Sequence, residues 1–197
     1  MRRLQAPKLH KGERMKRGLV LIDIQNDYFP GGNMELVGME QAAQNAGLLL
    51  KEWRNRKLPV FHIQHLSKRT GATFFLPNTR GAEINKAVAP QSGESVIEKY
   101  FPNAFRDTDL LKVLKESEVD EAVICGAMTH MCVDATTRAA FDFGFRCTVI
   151  EDACATRNLE YKGTTVEAGK VQAAFMAALA VPYAKVTSAK DFIGKWV

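Results

Sequence analysis

Three reactive side chains stand where short apolar runs of this 197-residue sequence end. Asp23 lies at the end of the first run, Lys99 directly follows the third, and Cys132 comes a few residues after the fourth. A carboxylate, an ammonium group and a thiol are groups that covalent acyl transfer uses, because a nucleophile attacks a carbonyl while a base moves its proton. The residue types therefore predict nucleophilic catalysis, provided that the fold brings the three run ends together.

Cys132 is the candidate nucleophile, in the segment 126–133 (GAMTHMCV). With Thr129 as the N-cap of a helix, Cys132 takes the third helical position, where its backbone N–H has no intrahelical acceptor and is free for an anion. The helix dipole and Lys99 then predict a lowered thiol pKa and an ionised sulfur. The other cysteines fall in or near predicted strands, which is typical of small buried hydrophobic residues: Cys125, Cys147 and Cys154.

Asp23 and Lys99 are predicted to support this nucleophile. A carboxylate that interrupts an apolar strand needs hydrogen bonds or a cation, and Lys99 is the candidate cation. Asp23 would take the proton from Cys132 and return it to a leaving amine. From spacing alone, a structural role for Asp23 in the turn at residues 25–28 is an equal alternative, and Lys99 by itself resembles any solvated charge after a strand.

Alternating strand and helix signals predict how these residues are positioned. Short apolar runs indicate strands near residues 19–24, 60–64, 95–98, 122–125, 147–150 and 184–187. Helical periodicity lies between them, including an alanine-rich helix at residues 164–180. This alternation predicts an α/β fold in three layers, doubly wound around a six-stranded parallel sheet. Ligands of such sheets bind beyond the carboxyl ends of the strands, where the three reactive side chains lie.

Composition and charge exclude several classes of protein. The chain is 46% hydrophobic and 25% charged, which excludes disorder, and its longest apolar stretch, residues 173–181, is too short to span a membrane. Four cysteines without C-x-x-C spacing predict a reducing, cytoplasmic location. The net charge of +5 is concentrated in residues 1–17, which carry +6 and leave −1 for the rest.

This charge distribution predicts two parts. We expect residues 1–17 to form a flexible basic extension, with Met15 as an alternative start, and residues 18–197 to form one domain. A nearly neutral body gives no basis for a nucleic-acid partner, and we expect neither a nucleic acid nor a membrane as partner. Salt-dependent nucleic-acid binding by the extension is the alternative.

The motifs together resemble the isochorismatase-like cysteine hydrolase superfamily, which includes nicotinamidase-related amidohydrolases. The resemblance spans about residues 18–190 and rests on Asp23-Ile24-Gln25 with Phe29, Lys99 ahead of Ala104-Phe105, and the segment 126–133. It implies an isochorismatase-like hydrolase domain with a Cys132, Asp23 and Lys99 triad. That triad hydrolyses a C–N bond of a small amide, imide or carbamoyl compound through a thioester. The resemblance also implies a cis peptide bond between Ala127 and Met128, and an oxyanion hole formed by the backbone amides of Met128 and Cys132.

Departures from the relatives refine these expectations. Nicotinamidases hold a divalent ion with an Asp-x-His motif after the second strand, but residues 61–65 here read FHIQH. His62 and His65 point to opposite faces of a regular strand, so we expect structural histidines, no metal and no other cofactor. Isochorismatases proper, which cleave an ether, commonly lack the cysteine, so Cys132 favours amide-type chemistry.

The predicted substrate-binding side chains are Phe29 and Phe105, as apolar walls, and His130, at the rim of the pocket. The loop at residues 71–77 contains two phenylalanines and is predicted to be a lid or an oligomer contact. The partners expected are a small-molecule substrate and further copies of the chain, in a dimer or tetramer. Two alternatives remain at this point: an isochorismatase-type ether hydrolase, and a non-catalytic redox- or electrophile-sensing thiol protein.

Overall fold

The computed structural model describes residues 15–195, which form a six-stranded parallel sheet between helices. The strands are β1 (Arg17–Ile22), β2 (Val60–His65), β3 (Ser95–Lys99), β4 (Glu121–Ala127), β5 (Arg146–Ala155), β6 (Leu159–Tyr161), β7 (Thr164–Val166) and β8 (Lys185–Thr187). The helices are α1 (Met39–Asn55), α2 (Leu110–Glu116), α3 (Asp134–Asp142), α4 (Ala168–Leu179) and α5 (Ala189–Gly194). The predicted extension lies mostly at residues 1–14, outside the described residues.

The order of strands in the main sheet is β3-β2-β1-β4-β5-β8, and all neighbours are parallel. The chain winds outwards from β1 to β3, then crosses back to β4 and winds the other way. This reversal places the switch point between β1 and β4, and ligands of such sheets bind beyond the carboxyl ends of the strands at that point. The doubly wound fold and its six predicted strands are confirmed.

The two central strands are buried because helices cover both faces of the sheet. All seven residues of β4 and five of the six in β1 are buried, which explains their nearly continuous apolar sequences. Helices α1 and α5 contact each other, and α3 contacts α4. The apolar side of α1 recurs at steps of three and four residues: Met39, Ala42, Ala43, Ala46, Leu49, Leu50 and Trp53.

The structure corrects the start of the predicted final helix. Helix α4 begins at Ala168 and not at Thr164, because residues 159–166 form an antiparallel hairpin of β6 and β7. Lys162 and Gly163 both have positive φ, which matches the twist of a tight hairpin turn. Residues 164–166 follow Gly163 and are all β-branched, which favours a strand over the first turn of a helix.

Gly126 allows β4 to approach β1 beside the predicted site. Its φ is +124°, and a Cβ at this position would collide with the carbonyl oxygen of Ile22. Only glycine adopts such a backbone conformation freely. None of the helices within residues 15–195 combines the length and apolar character that a membrane span needs.

Gly126→Ala is expected to lower the free energy of unfolding by at least about 2 kcal/mol, because a strained backbone and a steric clash act together. Urea denaturation measures this loss. Gly169→Ala is the matched control, since an added Cβ there meets no atom within 4 Å and alanine is favoured in a helix. Equal stability of Gly126→Ala and the parent protein would contradict the prediction.

Candidate active site

The carboxyl ends of β1, β3 and β4 bring the three predicted catalytic side chains together. Asp23 directly follows β1, with a φ of 50°, and its backbone N–H donates to the Ile63 carbonyl at 3.1 Å. Lys99 is the last residue of β3. Cys132 lies in a π-helical turn, Thr129–Val133, between β4 and α3. The sheet therefore delivers a carboxylate, an ammonium group and a thiol to one end.

The ammonium group of Lys99 joins the other two groups. Its Nζ lies 2.7 Å from Asp23 Oδ2 and 3.3 Å from Cys132 Sγ. Asp23 and Lys99 are fully buried, and Cys132 is only 3% exposed. The reactive atoms of Asp23 and Cys132 lie within 4.8 Å of each other. A proton can therefore pass between thiol and carboxylate with little movement, under the field of a buried cation.

The surroundings of the Cys132 sulfur oppose the predicted ionisation of the thiol. Burial, and then the charge of Asp23, raise the pKa of the Cys132 thiol, and Lys99 only partly opposes them. Burial alone would lower the pKa of Lys99, but Asp23 and Cys132 reverse that effect and leave its pKa raised. The resting site therefore holds a neutral thiol beside a charged lysine, with Asp23 as the counterion of that lysine.

The turn that carries Cys132 also differs in detail from the prediction. Met128, and not Thr129, caps the π-helical turn, and its carbonyl accepts from the N–H groups of Met131 and Val133. The Thr129 hydroxyl donates instead to Gln172 Oε1 at 2.6 Å, and it also lies 3.2 Å from the Ala155 carbonyl oxygen. Thr129 thus ties the turn to β5 and α4. The predicted cis peptide between Ala127 and Met128 is present.

Other residues hold the turn that follows Asp23. Gln25 Nε2 donates to the carbonyls of His65 (2.9 Å) and Ala82 (2.7 Å), and its Oε1 accepts from the His65 N–H at 2.7 Å. Asp27 Oδ2 accepts from the Phe75 N–H at 2.6 Å. Gln25 and Asp27 therefore stabilise the turn, which was the alternative role predicted for Asp23. The carboxylate of Asp23 faces Lys99 instead.

Comparison with known proteins decides the family. The family model of the isochorismatase domain matches residues 17–188. The chain belongs to the isochorismatase family. The uncharacterized isochorismatase family protein YddQ of Bacillus subtilis (strain 168) is 50% identical, over 91% of this chain and 99% of that protein. A crystal structure of an isochorismatase hydrolase from Oleispira antarctica has a TM-score of 0.89 and 50% identity, covering 92% of this chain and 98% of that one.

More distant relatives of this isochorismatase-family hydrolase have named activities. Streptothricin hydrolase of Streptomyces noursei is 31% identical over 73% of this chain and 51% of that protein. Maleamate amidohydrolase of Pseudomonas putida is 29% identical over 73% of this chain and 74% of that protein. Nicotinamidase of Acinetobacter baylyi is 27% identical over 72% of this chain and 84% of that protein. The resemblance found in the sequence and the assignment as a hydrolase are confirmed.

The three predicted substrate-binding side chains lie in different surroundings. The His130 ring is half-buried, with Nδ1 2.6 Å from Thr156 Oγ1, and burial followed by the charge of Arg157 lowers its pKa. His130 is thus neutral and sits beside residues that follow β5. Phe29 lines a surface cavity of about 650 Å³. The Phe105 ring packs against two other rings, at the end of α3 remote from Cys132: Phe143 and Phe145.

Tyr28 is a site residue that the sequence analysis missed. Its side chain is 1% exposed, and burial, followed by electrostatic interactions with Cys132 and Asp23, raises its pKa well above the usual value. Its ring lies 4.6 Å from that of Phe75, which also contacts His65 at 5.8 Å. Tyr28 therefore lies within electrostatic range of Asp23 and Cys132. The irregular turn at residues 25–29 has no periodicity that could have distinguished Tyr28 from Phe29.

The histidines of β2 have separate roles. His62 is buried and pairs with Glu94 at 2.9 Å, and Glu94 in turn binds Arg54. His65 Nδ1 lies 2.8 Å from Lys99 Nζ. Within residues 15–195, only Asp23, His65 and Cys132 place three metal-binding atoms close together, within 4.8 Å. This set does not fit a divalent ion while the Lys99 ammonium lies within 3.3 Å of Cys132 and even closer to the other two, because the cations would repel.

Proposed function

We propose that this isochorismatase-family hydrolase cleaves a C–N bond of a small amide, imide or carbamoyl compound, with Cys132 as the nucleophile. The observation that carries the proposal is the position of Lys99 Nζ, 2.7 Å from the Asp23 carboxylate and 3.3 Å from the Cys132 sulfur at the switch point of the sheet. The relatives named as amidohydrolase and nicotinamidase support the choice of bond.

The first half of the reaction forms a thioester. The thiol of Cys132 gives its proton to Asp23 as the sulfur attacks the substrate carbonyl carbon. The C–S bond forms, and the carbonyl becomes an oxyanion that rests on the backbone amides of Met128 and Cys132. Asp23 then protonates the nitrogen, the C–N bond breaks, and ammonia or an amine leaves. Lys99 stays protonated and stabilises the negative charge as it moves between carboxylate and sulfur.

The second half restores the enzyme. A water molecule gives a proton to Asp23 and attacks the thioester carbonyl, so that a C–O bond forms. The C–S bond then breaks, the acid leaves, and Asp23 returns its proton to the sulfur of Cys132. One carboxylate serves as base and acid in both halves, and Lys99 stays protonated throughout. The raised pKa of Lys99 supports that role.

The surroundings support a small substrate. Tyr28 and Phe75 provide an aromatic wall near the buried catalytic groups, and His130 offers a neutral imidazole on the side of β5. We further propose a homo-oligomer, supported by apolar side chains on the β6–β7 hairpin, where Tyr161 is 72% exposed. The four cysteines are free thiols, which is consistent with the proposed cytoplasmic location.

An ammonia-release screen tests the proposed function. The panel contains primary amides, cyclic imides, carbamoyl compounds and one vinyl ether, each with and without a chelator. Hydrolysis of the imides and the ether releases no ammonia and is followed instead by chromatography of the products. We expect release from at least one C–N compound, insensitivity to the chelator, and an acyl group on the Cys132 peptide in acid-quenched mass spectra. Turnover of the ether alone, or reversible oxidation of Cys132 by peroxide without any hydrolysis, would contradict the proposal.

A further inference from the structure

We propose that His65 is a positioning residue for the catalytic lysine: its Nδ1 accepts a hydrogen bond from Lys99 and holds the ammonium group beside the Cys132 sulfur. The distance between His65 Nδ1 and Lys99 Nζ is 2.8 Å. The inference rests on the proposed function, because it assigns a role within the same site. It replaces the purely structural role that the sequence suggested for this histidine.

His65 is fixed from several sides, as a positioning residue must be. It is the last residue of β2 and pairs in register with Lys99 of β3. Both its backbone N–H and its carbonyl are hydrogen-bonded to the side chain of Gln25, which lies two residues after Asp23. The ring contacts that of Phe75. The register of β2 and β3 therefore places the imidazole and the ammonium group next to each other.

A count of donors and acceptors shows what His65 contributes. The ammonium group has three N–H donors, and four groups lie around it. It donates to His65 Nδ1 at 2.8 Å, the Phe101 carbonyl at 3.1 Å and Cys132 Sγ at 3.3 Å, and it forms an ion pair with Asp23 Oδ2 at 2.7 Å. Of the four, His65 and the Phe101 carbonyl keep the same charge throughout the reaction, whereas Asp23 and Cys132 exchange a proton.

The constant charge of His65 and of the Phe101 carbonyl explains why they can hold the Lys99 ammonium group in place. When Asp23 becomes protonated, its attraction for Lys99 weakens, and when the thioester forms, the sulfur carries no charge. The hydrogen bonds to His65 and Phe101 persist through both events and keep the ammonium group in place. Without His65, the resting ammonium group relaxes towards Asp23, the one carboxylate it contacts, and away from Cys132. Because Lys99 lowers the pKa of Cys132, that movement raises the thiol pKa further.

The role requires a neutral imidazole with its proton on Nε2. Burial lowers the pKa of His65 to about 4, with Asp23 opposing that effect and Lys99 adding to it. The ring is therefore neutral at physiological pH, and Nδ1 keeps the lone pair that Lys99 needs. His65 moves no proton in this scheme, which separates its role from that of Asp23.

Four substitutions test the proposal, the fourth being used if the first does not fold. His65→Leu removes the acceptor at similar size, His65→Asn restores an acceptor near the Nδ1 position, and His62→Asn is the control on the same strand, where the side chain binds Glu94 instead. His65→Gln, whose amide reaches the Nε2 position, repeats the test with a polar side chain if His65→Leu does not fold. Two measurements apply to each: kcat and KM for an amide found by the ammonia screen, and the pH dependence of Cys132 alkylation by iodoacetamide.

For His65→Leu we expect kcat to fall roughly 10- to 100-fold with little change in KM, because the cation is misplaced while substrate binding is intact. Alkylation of Cys132 should shift to higher pH. His65→Asn should recover most of both properties, and His62→Asn should retain them. Unchanged alkylation and unchanged kcat in His65→Leu would overturn the proposal, as would a shift of alkylation to lower pH. The alkylation experiment needs no substrate, so it tests His65 even if the proposed hydrolysis fails.

Discussion

Cys132→Ala is expected to lower kcat/KM for C–N hydrolysis by roughly 10⁴- to 10⁶-fold, the largest loss of any single change in the site. No other side chain near Lys99 and Asp23 can form the thioester, since the remaining contacts of the lysine are a histidine and a backbone carbonyl. Ammonia release in a stopped assay measures the loss. The acyl adduct should disappear with it.

The controls for this prediction separate chemistry from folding. Cys132 makes its main polar contact with Lys99, so the thermal midpoint of Cys132→Ala should remain within a few degrees of the parent. Cys132→Ser keeps the shape but supplies a hydroxyl, which is much less acidic than a thiol, and it should also be nearly inactive. Retention of more than a tenth of the activity by Cys132→Ala would rule out covalent catalysis and favour direct attack by water.

The convergence of the three side chains could be predicted from the sequence because parallel sheets place the ends of their strands together. Asp23, Lys99 and Cys132 come from distant parts of the chain, but each follows an apolar run, and the fold class alone then brings them to one edge. Their charge states could not be predicted in the same way. The pKa of Cys132 depends on how deeply the sulfur is buried and on its distance from Asp23, and neither quantity is encoded in spacing.

The residues that the sequence analysis misjudged lie in irregular segments. Tyr28 and Phe29 are adjacent in a 3-10 turn, and only the folded backbone decides that Tyr28 lies near Cys132. The spacing of His65 from His62 excludes joint chelation of a metal and therefore predicts a structural histidine. Spacing within one strand does not predict the neighbouring strand, which supplies Lys99 as a partner. Side-chain contacts between strands require the register, which the sequence does not show.

Asp23→Asn is expected to have two opposite effects: hydrolysis falls by roughly 10³- to 10⁴-fold, while the thiol of Cys132 becomes more reactive towards iodoacetamide. The loss arises because asparagine cannot take or return a proton. The gain arises because the charge of Asp23 raises the pKa of Cys132, so its removal lowers that pKa. The Cys132 thiolate then replaces Asp23 as the counterion of Lys99. We expect a shift of at least about 1 unit, or about tenfold more thiolate at pH 8.

Asparagine is the appropriate replacement because position 23 has a φ of 50°, a conformation that asparagine tolerates better than most residues.

Lys99→Met is expected to change the alkylation rate of Cys132 in the opposite direction. Lys99 lowers the pKa of Cys132, so its loss should slow alkylation and also reduce hydrolysis. The measurement is the rate of Cys132 modification between pH 6 and pH 10, followed on the Cys132 peptide because the other three cysteines are also buried thiols. Slower alkylation in Asp23→Asn would contradict the predicted gain, and would show that Asp23 promotes ionisation of the Cys132 thiol more than its charge opposes it.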